Sequence, residues 1–150
     1  MAAADSVPAI PVPAVGVVCL RGDEVLLIRR ATPPLLGAWS LPGGRIEWGE
    51  RAADAALREL MEETGVEAEL AGLVEVADGL FGGGPVPERH YVLIEFAAHW
   101  RSGEPRAGDD AAAAAFHPLA GLGALGLWEE TVRVIRMAVE RYGAAERYGR

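Results

Sequence analysis

The 150-residue chain is poor in cysteine and in positive charge, and it holds no apolar run long enough to cross a bilayer. Its single cysteine, Cys19, rules out a disulfide within the chain. The thiol lies inside the apolar run Val15-Gly16-Val17-Val18-Cys19-Leu20, which reads as a buried strand position rather than a nucleophile. Fourteen Lys and Arg stand against 22 Asp and Glu, a formal net charge of −8. Duplex binding is dominated by cations that neutralise phosphates, so neither a nucleic-acid surface nor an anionic membrane is expected as partner. No stretch of about 18 apolar residues exists for a membrane span. Met1 to Asp5 carry no basic residue and the first apolar stretch is broken by Pro8, Pro11 and Pro13, so no signal peptide is read and the cytoplasm is the expected location.

What is present suits one domain: 51% of residues are apolar and 24% charged. Residues 1–13, rich in Ala and Pro, read as a flexible or extended arm, and 14–150 as a single domain. Ala14 to Leu20 and Glu24 to Arg30 flank Arg21-Gly22-Asp23 as a strand hairpin. A loop with Pro33, Pro34 and Gly37 leads to Trp39-Ser40-Leu41, Pro42-Gly43-Gly44 bends the chain into a short strand at Arg45-Ile46, and a helix is expected from about Glu50 to Gly65. Further strands are expected at Glu67 to Ala77, Tyr91 to Trp100 and Ala112 to His117, with a glycine- and proline-rich loop over Asp78 to Arg89. A loop from Pro118 to Gly126 then precedes a closing amphipathic helix from Trp128 to Tyr142. Strands around one helix, with a second helix at the end, predict an α/β fold with a mixed sheet between helices.

The first helix carries the chemistry. Glu59, Glu62 and Glu63 stand at i, i+3 and i+4 and so share an arc of roughly 100°. Ala53, Ala56, Leu57, Leu60, Met61 and Thr64 fill the opposite, core-facing arc, and the small Ala52 and Ala55 leave the acidic face open to a ligand. Acids so spaced repel by a few tenths of a kcal/mol unless something cancels their charge. A hard divalent cation does so, and Mg²⁺ takes a few carboxylates together with substrate phosphates and waters. Arg29, Arg30 and Arg45 are the basic side chains available to phosphate oxygens.

Read in full, the stretch is Gly44, five residues, Glu50, seven residues, Arg58-Glu59-Leu60, one residue, Glu62-Glu63, one residue, Gly65-Val66, with Leu41-Pro42-Gly43-Gly44 leading in. It resembles the Nudix box of the Nudix hydrolases at all nine fixed positions over 23 residues. The resemblance implies the Nudix α/β/α sandwich and Mg²⁺-dependent cleavage of phosphoanhydrides, with Mn²⁺ able to substitute. It implies Glu59, Glu62 and Glu63 as metal ligands with the Gly43 carbonyl completing the site, Arg58 orienting the acids, and Glu50 supporting the loop. The family often draws a further acid from outside the box as ligand or base. Asp109 and Asp110 are the candidates, with Glu88 in the long loop as runner-up.

The substrate implied is a small nucleotide: a nucleoside diphosphate linked to another moiety. Within the family the ADP-ribose branch often carries a proline about sixteen residues past the box, where this chain has Gly82, and the tyrosine typical of the dinucleoside polyphosphate branch is also missing. The wider pattern Trp39 to Glu50 and Gly108-Asp109-Asp110-Ala111 is similar to small bacterial Nudix proteins grouped with ADP-ribose pyrophosphatases. ADP-ribose or a related nucleotide sugar or dinucleotide therefore ranks first, then clean-up of (oxidised) nucleoside triphosphates. A reading of another class is a nucleotide-sensing domain without turnover, although sensors commonly lose box glutamates that this chain keeps. Arg29, Arg45 and Trp39 are expected at the substrate, with Trp48, Phe81, Tyr91 and Trp100 as further rings able to stack on a base. A homodimer is left open.

Overall fold

A computed structural model of the chain describes residues 9–148. Most of the expected arm lies outside the described residues; its last two residues, Val12 and Pro13, already belong to the first strand.

Among the described residues, seven strands, two α-helices and one 3-10 helix follow in the order β1 (Val12–Arg21), β2 (Glu24–Arg30), β3 (Trp39–Ser40), β4 (Gly43–Arg45), α1 (Ala52–Thr64), β5 (Glu67–Phe81), β6 (Arg89–Ser102), β7 (Ala111–Pro118), the 3-10 helix Leu119–Leu125, and α2 (Glu129–Tyr148). They build one mixed sheet in the order β3-β2-β1-β6-β5, with β4 added to β1 and β7 to β2. Only β1 and β6 run parallel, and that pairing lies at the centre of the sheet. The hairpin partners β1 and β2 pair only at their joined ends, Leu20 with Val25 and Arg21 with Glu24. Beyond that point they splay, β1 taking β4 and β2 taking β7, and the gap between them opens the sheet.

The period-two alternation of β1 sorts its side chains to two cores. Val15, Val17 and Cys19 join Leu26, Ala98 and the helix residues Ala55, Ala56 and Leu60 on one face. Val18 and Leu20 join Val25, Leu27, Ala97 and the α2 residues Val134, Ile135 and Ala138 on the other. Helices on both faces of a mixed sheet make the α/β/α sandwich of the Nudix fold.

Two expectations shift. The loop expected over Asp78 to Arg89 is shorter, because Asp78 through Phe81 pair with Val92 through Arg89 and carry β5 and β6 to within seven residues of each other. Glycine and acid weaken a strand locally, but a long-range ladder overrides that preference. The expected Pro118 to Gly126 loop is largely the 3-10 helix, which seats Leu122 in the α2-side core.

Candidate active site

The helix α1 ends at Gly65, whose left-handed φ of 71° and N–H to the Met61 carbonyl close it. The face it buries differs from the wheel drawn on the sequence. Ala55, Glu59 and Glu63, spaced four apart, are buried, whereas Met61 is 44% exposed. The reason is β4. It crosses the helix so closely that a Cβ on Gly44 would overlap the Glu59 carboxylate, and the Gly43 N–H donates to Glu63 Oε1 at 2.8 Å. Gly43 and Gly44 thus roof over the stripe that the small alanines were expected to leave open. Of the three glutamates only Glu62, with 45% of its side chain exposed, keeps a solvent-facing position.

Arg58 ties the other box residues together. Its Nε and a terminal nitrogen donate to the two Glu50 oxygens at 2.6 and 2.9 Å, and its other terminal nitrogen donates to Glu62 at 3.0 Å. A further bond reaches the Arg45 carbonyl at 3.1 Å, so one planar guanidinium clamps the turn before α1, the helix and the end of β4. The hydrogen bond from Arg58, followed by that from the Glu47 backbone, lowers the Glu50 pKa to about 2. Glu59 and Glu63 go the other way. Burial first, and then neighbouring carboxylates, push Glu59 up to about 7 despite Arg58, and burial pushes Glu63 up to about 8 against the Gly43 N–H.

The acid from outside the box arrives by helix capping. The last turn of α1 leaves carbonyls without helical partners. The loop after β6 fills them: Arg106 N–H donates to the Thr64 carbonyl and Gly108 N–H to the Glu63 carbonyl, both at 3.0 Å. A Cβ on Gly108 would press on the Glu62 carbonyl, so the loop approaches this closely only with glycine there. The next residue, Asp109, takes φ 51° and turns its carboxylate toward the helix. Carboxylate oxygens of Glu59, Glu62 and Asp109 lie within 4.8 Å of one another. Three oxygen donors at that separation, two of them on one rigid helix, fit a hard divalent cation, whose charge would offset the burial and the carboxylate repulsion that raise the Glu59 pKa. Asp110 lines the same cavity, and its carbonyl accepts from Ala31 N–H at 3.1 Å. Glu88 does not line the cavity: it folds back on its own turn, where its backbone N–H donates to the Phe81 carbonyl.

The carboxylates form one end of a cavity of about 700 Å³ that runs from α1 around β4 onto the α2 face of the sheet. Arg30, Arg45 and Arg89 line it, and beyond them Phe81, Tyr91, Leu93 and Trp128. Phe81 lies 6.3 Å from Tyr91 and 5.2 Å from Trp128, ring centre to ring centre. Burial works to raise the Tyr91 pKa, but hydrogen bonds from Arg89 and Arg45 outweigh it and hold the phenol below its ordinary value.

Arg29 and Trp39 are the two substrate-side expectations that this geometry corrects. They are register partners on β2 and β3 and point away from the cavity, while their strand neighbours Arg30 and Ser40 line it. A strand turns alternate side chains to opposite faces, so a shift of one residue exchanges lining for back. Trp39 packs edge-on against His117 instead. Trp48 is fully exposed outside the cavity, and Trp100 donates to the Gly103 carbonyl under Arg21. Pattern reading passed over Arg89, Trp128 and Glu95. For Glu95 the signal was available: a lone acid within the run Tyr91-Val92-Leu93-Ile94-Glu95-Phe96.

Comparison with known proteins agrees with the box and the fold. The NUDIX domain model matches residues 10–137, and the chain belongs to the Nudix family. It is 35% identical over 126 residues, 81% of this chain and 70% of the relative, to an ADP-ribose pyrophosphatase from Methanocaldococcus jannaschii. It is 42% identical over 92 residues, 60% of this chain and 62% of the relative, to a Mycobacterium tuberculosis protein that carries the name "Putative 8-oxo-dGTP diphosphatase 2". A crystal structure of a MutT Nudix hydrolase from Burkholderia pseudomallei superimposes with a TM-score of 0.76 at 31% identity, covering 86% of this chain and 98% of that one. The protein is a Nudix pyrophosphohydrolase, of the kind that acts on small nucleotides with the help of divalent metal.

Proposed function

We propose that the enzyme hydrolyses, with Mg²⁺, the pyrophosphate of a nucleoside diphosphate joined to another moiety, ADP-ribose or a related nucleotide sugar or dinucleotide first. One observation carries the reading: a cluster of Glu59, Glu62 and Asp109 oxygens opens into a cavity whose far end is aromatic. Such a cavity can hold a pyrophosphate against the acids while a base lies among the rings. The Methanocaldococcus jannaschii relative, matched over most of both chains, supports the ADP-linked choice. The shorter match to the Mycobacterium tuberculosis relative supports the second reading, clean-up of oxidised nucleoside triphosphates.

In the reaction, water oxygen attacks one phosphorus, the bridging P–O bond breaks, and the proton of water ends on the phosphate products. The anhydride resists attack because its oxygens are negative. A bound divalent cation supplies screening of that charge and makes water more acidic. Glu59 and Glu62 would hold it from the helix, and Glu63 and the Gly43 carbonyl would complete the site. Arg58 keeps Glu62 and Glu50 in place. Asp109 adds an oxygen from outside the helix, as ligand or as proton acceptor, with Asp110 next to it. Arg45, Arg30 and Arg89 meet the outer phosphate oxygens. The acidic surface and the small cavity support a small-molecule enzyme of the cytoplasm rather than one working on nucleic acid or membrane. Product analysis with Mg²⁺ over ADP-ribose, NADH, diadenosine polyphosphates and oxidised dGTP tests the reading. Release of AMP from ADP-ribose is expected as the fastest reaction, and turnover of oxidised dGTP alone would replace the first reading with the second.

A further inference from the structure

On the sheet face opposite α1 a further carboxyl enters the same cavity, outside the chemistry above. Glu95 is 6% exposed and lines the cavity. It lies on β6 in direct register with Gly16 of β1, so the two residues address the same face. A Cβ on Gly16 would run into the Glu95 carboxylate. The missing side chain at residue 16 is therefore what gives this carboxyl a bed on the cavity floor. Two and four residues earlier on β6, Leu93 and Tyr91 turn to the same face and line the same space, with Phe81 and Trp128 beyond.

Among the described residues no hydrogen bond or ion pair satisfies this acid. Burial, then the like charges of Glu130 and Glu75, raise its pKa to about 7, with neither a cation nor a hydrogen bond among the influences on it. Glu130 and Glu75 are themselves paired with Arg133. A buried polar group without a partner is costly, and one that faces a ligand space points to a partner in the ligand.

We propose that Glu95 is a specificity-determining residue that accepts a hydrogen bond from the exocyclic amino group of an adenine held against Tyr91 and Leu93. This rests on the reading that an adenine nucleotide occupies the cavity. An amino group offers the donor that the chain withholds, and the carboxyl keeps an acceptor oxygen whether ionised or neutral.

The test is calorimetric binding, on the full chain with Mg²⁺, of AMP and of purine riboside 5′-monophosphate, which lacks only the 6-amino group. The parent is expected to prefer AMP by about tenfold or more, the size of a hydrogen bond to a charged group. Glu95→Leu should bind the two ligands alike, whereas Glu95→Gln, which keeps an acceptor oxygen, should recover most of the preference. Gly16→Ala should erode the preference by displacing the carboxyl while leaving it in the chain. Thermal melting confirms that each variant is folded; Glu95→Leu replaces a buried acid by an apolar group and should melt no lower than the parent. No AMP binding, equal binding by the parent, or an undiminished preference in Glu95→Leu overturns the inference. The two readings fail separately. An AMP preference that follows Glu95 without ADP-ribose turnover sinks the proposed reaction alone. ADP-ribose turnover without a Glu95-dependent preference sinks this inference alone.

Discussion

Two pairs of glutamates share one turn and one helix and meet opposite fates. Glu50 and Glu62 reach the Arg58 guanidinium, which holds Glu50 ionised far below the ordinary carboxylate range. Glu59 and Glu63 lie one helical turn apart under β4, where burial drives both toward the neutral form. Residue type is the same in both pairs. The difference is that Arg58 hydrogen-bonds Glu50 directly and favours its charged form, while burial outweighs the pull of Arg58 on Glu59 and of Arg30 on Glu63. A metal enzyme needs both kinds: acids locked in position, and acids whose charge is suppressed until a cation arrives.

The largest effect expected from this contrast is loss of the cation. In excess chelator turnover should vanish, and Mg²⁺ or Mn²⁺ should restore it; full activity without metal would dissolve the distinction between the two pairs. The same addition should raise the melting temperature, by an amount equivalent to about 2.7 kcal/mol when free metal is a hundredfold above its Kd.

Next comes Glu59→Gln, which keeps shape but fixes the residue in its neutral form. Turnover should fall by about two orders of magnitude or more, the scale of losing a charge-stabilising group. Melting of the metal-free variant at pH 8 should be unchanged or higher, because the buried charge is gone. A variant that melts much lower yet turns over normally per folded molecule would make Glu59 structural.

Asp109→Asn should lower kcat far more than it raises KM, since a ligand or base at the cluster acts in the transition state. Glu88→Gln, outside the cavity, is the matched control and should leave both constants near the parent's. Steady-state kinetics that show the reverse would move the outside acid to the β5–β6 turn.

The smallest effect is on stability against pH in metal-free protein. Glu59 and Glu63 have folded pKa values of about 7 and about 8, above the ordinary 4.5. Between these limits the native state keeps protons that the unfolded chain has released, so stability should fall as pH rises through the window. Glu63→Gln should flatten that slope. Glu50 has the opposite sign: lowered to about 2, it contributes stability above its unfolded pKa that is lost as pH falls toward 2. Glu50→Gln should lower stability above pH 4.5 and flatten that acid limb. Thermal melts from pH 3 to pH 9 read both, and parallel curves for the two variants would refute the contrast.

The hairpin, the acidic helix and its Gly65 stop were legible from residues alone, because each depends on neighbours within a few positions: Gly22-Asp23 at a turn, acids at i, i+3 and i+4, a glycine free to take positive φ. The box pattern carried the chemistry for the same reason. Burial of Glu59 and Glu63 was not legible, since it is imposed by Gly43 and Gly44 crossing from another strand. Asp109 and Asp110 were ranked above Glu88 on chain position alone; the physical reason that Asp109 reaches the cluster, a loop from the far end of β6 capping the Glu63 and Thr64 carbonyls, was not legible. Arg30 rather than Arg29, and Ser40 rather than Trp39, follow from which face of β2 and β3 the completed sheet turns to the cavity. The chain by itself thus determined a Nudix helix, its acids and its class of reaction, which local spacing encodes. Only tertiary structure decided which acids are sheltered, which outside residue joins them and that Glu95 and Trp128 share their cavity, because those depend on segments up to about a hundred residues apart meeting across one sheet.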